Sequence, residues 1–237
     1  MNFPIVLIAN AAGGVGKTTL THCISAAAAE YGKKVLAIDC DPQATLTFRC
    51  GIENPRLTSA EVFSGEHQIT NAIVKTMERF TLLPGASRLA SQDLKNVNLL
   101  NTLNDDFDLC IIDTPSGPSS VLSALMTVAT YVVIPVNSSF HSIRGALHIR
   151  DFQRNSGVSP TMRLVMNNSD DPTLDETVTH DFTVLEPALP RAAEVKSAEI
   201  TTQSVLSFAS HAQISSDIRE LLFTIGRTRA ILEKNFF

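Results

Sequence analysis

The ten residues Asn10-Ala11-Ala12-Gly13-Gly14-Val15-Gly16-Lys17-Thr18-Thr19 constrain this chain more than any other stretch. They lie between the apolar run Ile5-Val6-Leu7-Ile8 and a segment patterned as a helix. Strand, glycine-rich loop, lysine, threonine and helix in this order build a cradle for phosphate. Gly13, Gly14 and Gly16 let successive N–H groups, including that of Val15, turn inward onto an anion. The helix that follows directs its N-terminal donors and positive dipole end to the same point. Lys17 supplies a point charge for the β- and γ-phosphates, and the Thr18 hydroxyl is placed to ligand Mg2+. The general pattern G-x-x-x-x-G-K-[ST] departs at its first glycine, where Ala11 stands, so the match rests on Gly16-Lys17-Thr18.

A chain of 237 residues with 44% hydrophobic and 18% charged residues has the size and composition of one α/β domain with a full core, spanning residues 1–237. The net charge of -5 argues against coating nucleic acid through bulk charge, although a local basic face remains open. Cys23, Cys40, Cys50 and Cys110 show no C-x-x-C spacing and predict neither a zinc site nor a disulfide framework. No charged leader precedes the first strand and no apolar run reaches membrane-spanning length, so a cytoplasmic location is expected.

Short, continuously apolar runs recur: Ile5 to Ala9, Val35 to Ile38, Phe80 to Leu83, Leu109 to Ile112, Tyr131 to Pro135 and Arg163 to Met166. Strands that are apolar on both faces are covered by helices on both faces, which predicts a doubly wound, mainly parallel α/β sheet. Helices are expected over Thr18 to Tyr31 and Ser119 to Ala129, among others. The acidic, turn-rich stretch from Asn168 to Pro172 lacks the spacing of a calcium loop and reads as a solvated surface loop.

Two further motifs sit at predicted strand ends: Asp39-Cys40-Asp41-Pro42-Gln43 and Asp113-Thr114-Pro115-Ser116-Gly117. Carboxylates beside a polyphosphate repel it unless a cation intervenes. Mg2+ on Thr18 supplies that cation, Asp113 is placed as the carboxylate facing it, and Asp39 as the group that positions the attacking water. The competing reading of Asp39 is a strand-end aspartate capping the next turn.

With these intervals, GGVGKTT, DCDPQ and IIDTPSG resemble the ParA/MinD family of deviant Walker A ATPases among the SIMIBI-class P-loop NTPases. Leu82-Leu83-Pro84-Gly85, Tyr131 to Val136 and Leu189-Pro190-Arg191 extend the resemblance over nearly the whole chain, and the DPQ string brings it nearer ParA than MinD. The resemblance implies slow, Mg2+-dependent ATP hydrolysis by a homodimer and an ATP-dependent switch that binds DNA non-specifically. It also implies a ParB-like or cargo-adaptor partner, association with the nucleoid, and the positioning of a plasmid, chromosome or protein assembly. It places Gly13 to Thr19 on phosphates and metal and gives Lys17, Asp39 and Asp113 catalytic roles. Thr18, Asp39 and Asp113 then surround the metal, and Asn167 and Pro190 border adenine.

The family places a signature lysine just before the paired glycines, where this chain has Ala12. Three readings stay open: an engineered replacement, a natural member using another cation, or a nucleotide switch with little hydrolysis. Arg144, Arg150 and Arg154 are candidates for that cation, against the plainer reading of a solvated or DNA-facing stripe. Arg219, Arg227, Arg229 and Lys234 are the candidate DNA contacts. Because the chain begins at its first strand, no N-terminal operator-binding helix-turn-helix is expected. The alternative function is a MinD-like membrane-surface switch, its lipid contact a C-terminal stripe of Leu221, Leu222, Ile225, Ile231, Leu232, Phe236 and Phe237. A metabolic P-loop enzyme, such as an iron-sulfur carrier or an amidoligase, would need a C-x-x-C pair or a further domain.

Overall fold

A computed structural model describes residues 4–91, 94–171, 173–174 and 176–227. Eight strands form one sheet: β1 (Ile5–Ile8), β2 (Val35–Asp39), β3 (Val74–Lys75), β4 (Thr81–Leu83), β5 (Leu109–Asp113), β6 (Tyr131–Val136), β7 (Thr161–Asn167) and β8 (Val184–Leu189). Their order is β3-β4-β2-β5-β1-β6-β7-β8, parallel throughout except for the antiparallel β3–β4 edge. The helices are α1 (Lys17–Glu30), α2 (Thr45–Arg49), α3 (Ser59–Ser64), α4 (Ser120–Met126), α5 (Phe140–Ser156), α6 (Glu176–Asp181), α7 (Ala193–Ile200), α8 (Val205–Phe208) and α9 (Gln213–Gly226).

The unbroken apolar strands follow from this layering. Successive residues point to opposite faces, so Ile5 and Leu7 enter a core with α3, α4 and α5, while Val6 and Ile8 enter another with α1, α8 and α9. All six expected strands are present; Ile5–Ile8 and Thr81–Leu83 are each one residue shorter than expected, and the other four are extended by a residue or two at one or both ends. The unexpected ones are both at edges: β3, only two residues long, and β8, whose Glu186 and Pro187 break its apolar pattern. An edge strand tolerates a missing N–H and a polar face, so its sequence is weakly marked.

On α9, Leu221, Leu222 and Ile225 are buried against the sheet. That part of the proposed lipid-facing stripe is therefore core; Ile231, Leu232, Phe236 and Phe237 lie outside the described residues. Among the described residues, no helix is long and apolar enough to cross a membrane.

A buried polar knot ties α1, the β3–β4 turn and α8 together. The Glu78 carboxylate pairs with His22 Nε2 at 2.5 Å and accepts from the Ser204 backbone N–H and from the hydroxyls of Ser204 and Ser207. Burial alone would raise its pKa, but the hydrogen bond and charge of His22 and the two serines together hold it down to about 2. A carboxyl depressed in the fold stabilises above its unfolded pKa and loses that contribution as pH falls through the folded value. Glu78→Gln is therefore expected to cost up to about 3 kcal/mol at pH 7. The difference should shrink between about pH 4.5 and pH 2, read as Tm against pH.

Candidate functional site

Parallel pairing places the two motif aspartates side by side, because β2 and β5 are in register with Asp39 opposite Asp113. Ile8, at the end of β1, is in turn opposite Asp113, so the glycine loop begins beside both carboxylates. Three strand ends thus converge at the carboxyl edge of the sheet, where doubly wound folds assemble their ligand crevice.

Gly16 caps the start of α1 with φ of 88°, a left-handed conformation that costs glycine nothing. A Cβ there would also stand 2.3 Å from Asn167 Nδ2. That amide donates to Val15 O at 2.8 Å, which fixes the loop against the end of β7. On the other side, Asn10 Nδ2 donates to Pro135 O and Ser142 O, and Asn10 Oδ1 accepts from the Ala12 N–H at 2.8 Å.

Lys17 Nζ is buried, donating to Ala12 O at 3.1 Å and to Ser116 Oγ at 2.8 Å. Burial lowers its pKa, opposed by the charges of Asp113 and Asp41. Both hydrogen-bond partners are neutral, so the charges that favour the ammonium are those of the nearby carboxylates Asp113 and Asp41. Asp39 is fully buried and braced: Thr47 donates to Oδ2 through both its N–H and its hydroxyl, and the Asp41 N–H donates to Oδ1. Burial still pushes it up to about 6 against those hydrogen bonds. Gly85 closes over it, since a Cβ at that position would lie 2.7 Å from Asp39 Cγ.

Asp113 is different. Its two oxygens are the only buried side-chain polar atoms among the described residues without a hydrogen bond of ordinary geometry, although the Thr18 hydroxyl lies close enough to favour the charged form. Burial first, then the charge of Asp39, drive its pKa well above the ordinary carboxylate range, against Thr18 and Lys17. An unpartnered buried carboxylate is costly, and a divalent cation with its waters is the chemistry that satisfies it. Asp113 and the adjacent Thr18 hydroxyl are oxygen donors of the kind that fits a hard cation such as Mg2+, whereas both oxygens of Asp39 are already held by Thr47 and Asp41.

Carboxyl groups raised in the fold stabilise at low pH and lose that contribution as pH rises through the folded pKa. Ligand-free Asp113→Asn is accordingly expected to be more stable than the unsubstituted protein at pH 8, read as a higher Tm. The gap should close as the pH falls and the native carboxyl takes up its proton.

Beyond the loop opens a cavity of about 800 Å3, lined by Gly14, Gly16, Thr19, Asn167 and Pro190 among others. Gly14, Gly16 and Thr19, three of the residues expected on phosphate, thus share one space with Asn167 and Pro190, expected on adenine. Sequence reasoning missed Thr47 and Gly145, and quoted Asn10 and Ser116 in their motifs without a role, because all four act through long-range contacts. Gly85 was singled out only as part of a strand.

Ala12 is 1% exposed. Its backbone and methyl face Gly145 of α5, where a Cβ would stand 2.6 Å from Ala12 N and 2.9 Å from Ala12 Cβ. Of the candidate replacement cations, Arg150 is committed to Asp181 and Asp151 and lies over the Phe182 ring. Arg144, next to Gly145, and Arg154 are exposed. Arg219 pairs with Glu30 at 2.8 Å and donates to Ser210 O, while Arg227 is exposed. Arg229 and Lys234 lie outside the described residues. The loop after Asn168 holds Asp171 in local bonds to Thr173, and no cluster of three or more histidine, cysteine or acidic side chains suited to a metal occurs among the described residues.

A parallel sheet, a glycine loop with a buried lysine at the head of α1, and two strand-end aspartates in register define a P-loop nucleotide-binding protein. A family model described as an AAA domain matches residues 3–156, more than half of the chain, and the chain belongs to that family, within the ParA/MinD group of SIMIBI ATPases. It is 34% identical over 172 residues to an uncharacterized ATP-binding protein of Methanocaldococcus jannaschii, a match covering 70% of this chain and 65% of that one. It is 31% identical over 158 residues to the maintenance of carboxysome distribution protein A of Synechococcus elongatus, covering 62% and 63%. The match therefore spans a little under two thirds of the length of these relatives. In fold it superposes on the cell division ATPase MinD of Pyrococcus furiosus with a TM-score of 0.83 at 24% identity, over 94% of this chain and 98% of that one.

Proposed function

We propose that the protein is a slow, Mg2+-dependent ATP hydrolase that works as an ATP-dependent dimerisation switch, binding DNA without sequence preference and positioning a cargo. The observation that carries this reading is the unpartnered Asp113 carboxylate, buried beside Lys17 and in register with Asp39. Bound Mg2+ would neutralise charge between the phosphates and these carboxylates. Thr18 and Asp113 would hold it. Lys17 would exchange its bonds to Ala12 O and Ser116 for phosphate oxygens. Asp39, fixed by Thr47 and capped by Gly85, would orient the attacking water.

The relatives named for ATP binding and for carboxysome distribution support nucleotide use and a positioning role. A ParB-like or cargo-adaptor protein is the partner expected to stimulate turnover. The cation that replaces the signature lysine across the dimer is assigned to Arg144, which stands exposed where α5 meets the loop; Arg150 is already paired. DNA contact falls to Arg227 and to Arg229 and Lys234 beyond it, with Arg219 available only on release of Glu30.

ATP turnover with and without duplex DNA, together with light scattering in ADP and in ATP, tests this reading. A dimer formed only in ATP, stimulated turnover and a gel shift that weakens steeply with salt are expected. A monomer in both nucleotides, or binding to anionic liposomes in place of DNA, contradicts it. Arg144→Ala is expected to abolish stimulation while leaving ATP binding intact.

A further inference from the structure

Arg49 is the last residue of α2, whose middle holds Asp39 through Thr47. Its guanidinium crosses to the first turn of α1, where NH1 donates to Thr19 Oγ1 at 2.5 Å and NH2 pairs with Glu199 Oε1 at 2.9 Å. Thr19 in turn donates to the same Glu199 oxygen at 2.9 Å. All three side chains line the 800 Å3 cavity together with Gly14 and Gly16, whereas Lys17 and Asp113 do not. The cavity therefore starts where the β,γ end of the cradle stops. With the β- and γ-phosphates at Lys17 and the nucleoside in the cavity, the phosphate that joins them would fall near Thr19, which borders both.

We propose that Arg49 is a specificity-determining residue that contacts the α-phosphate of a nucleoside polyphosphate, and that Glu199 occupies this cation in the empty protein and yields it when the ligand enters. The inference rests on the nucleotide reading given above. An arginine bonded to Thr19 Oγ1 can swing onto an anion that approaches that hydroxyl, and guanidinium binds phosphate through a planar pair of donors that lysine lacks. A non-bridging oxygen of the α-phosphate and a carboxylate oxygen are competing acceptors for the same N–H groups. Entry of the ligand thus costs the Glu199 pair, which is partly exposed, with side chains 19% and 36% accessible for Arg49 and Glu199. A pair open to solvent is weakly held.

The test is calorimetric titration of the full chain with ATP, ADP and the uncharged probe adenosine. Arg49→Ala is expected to weaken ATP and ADP alike by roughly tenfold or more, the usual scale for a hydrogen bond to a charged group. Adenosine should bind as before, and Arg49→Lys should restore binding only in part. Glu199→Gln, which removes the competing charge, is expected to tighten ATP several-fold. Arg49→Ala within twofold of the unsubstituted protein, or Glu199→Gln weakening ATP as Arg49→Ala does, overturns the proposal and leaves the pair a structural brace. Should Arg49→Ala fail to fold, Glu199→Gln decides alone, tightening in favour and any other result against. Absence of ATP binding by the unsubstituted protein removes the nucleotide reading itself, a different failure from this one.

Discussion

Gly145→Ala is expected to lower stability by about 3 kcal/mol, or roughly 10 °C in Tm, and to abolish ATP binding at the same time. The cause is the approach of α5 to the phosphate loop. A Cβ on Gly145 would stand 2.1 Å from Asn10 Oδ1 and 2.6 Å from the Ala12 nitrogen. Asn10 cannot swing aside, because its amide is buried and bonded to Pro135 O, Ser142 O and the Ala12 N–H. Backbone on one side and a fully used amide on the other leave displacement of α5 or of the loop. Either movement uncouples Gly13 to Lys17 from the geometry that faces an anion. Thermal melts and ATP titration of the one variant read both effects; a loss of stability with binding intact would show that the loop does not depend on α5.

Ala12→Lys is expected to fail as a restoration of the family's signature lysine. The Ala12 methyl is buried against Gly145, with Lys17 donating to its carbonyl. A lysine there must either push its stem between the loop and α5 or open that contact to bring its charge to water. Both cost about 3 kcal/mol. Turnover should stay at or below the unsubstituted level, with a fall of several degrees in Tm. A tenfold gain in turnover with unchanged Tm would contradict this.

The fold class was legible because the inner strands carry their burial in an unbroken apolar pattern, and the edge strands escaped because edges do not require one. The cradle was legible from local order, as Gly16, Lys17 and Thr18 act through neighbours in sequence. Asp39 and Asp113 could be paired from motif position alone. What holds Asp39 and the loop could not: Thr47 and Gly85 close on Asp39, and Asn10 on the loop, through contacts that only the folded chain creates. The basic residues show the opposite difficulty. Arg150 and Arg219 read as free charges in sequence, yet each is drawn to a carboxylate from a distant segment, Asp181 and Glu30.

The central claim is that the loop, Lys17 and Asp113 together hold a magnesium-bound nucleotide. Equilibrium titration with ATP in Mg2+ and in EDTA, on the unsubstituted chain and on Lys17→Ala, tests it most directly. Micromolar binding in Mg2+, weakened at least tenfold in EDTA and lost in Lys17→Ala with its melting curve preserved, is the predicted result. Equal affinity in both chains, or no binding at millimolar ATP, would contradict it.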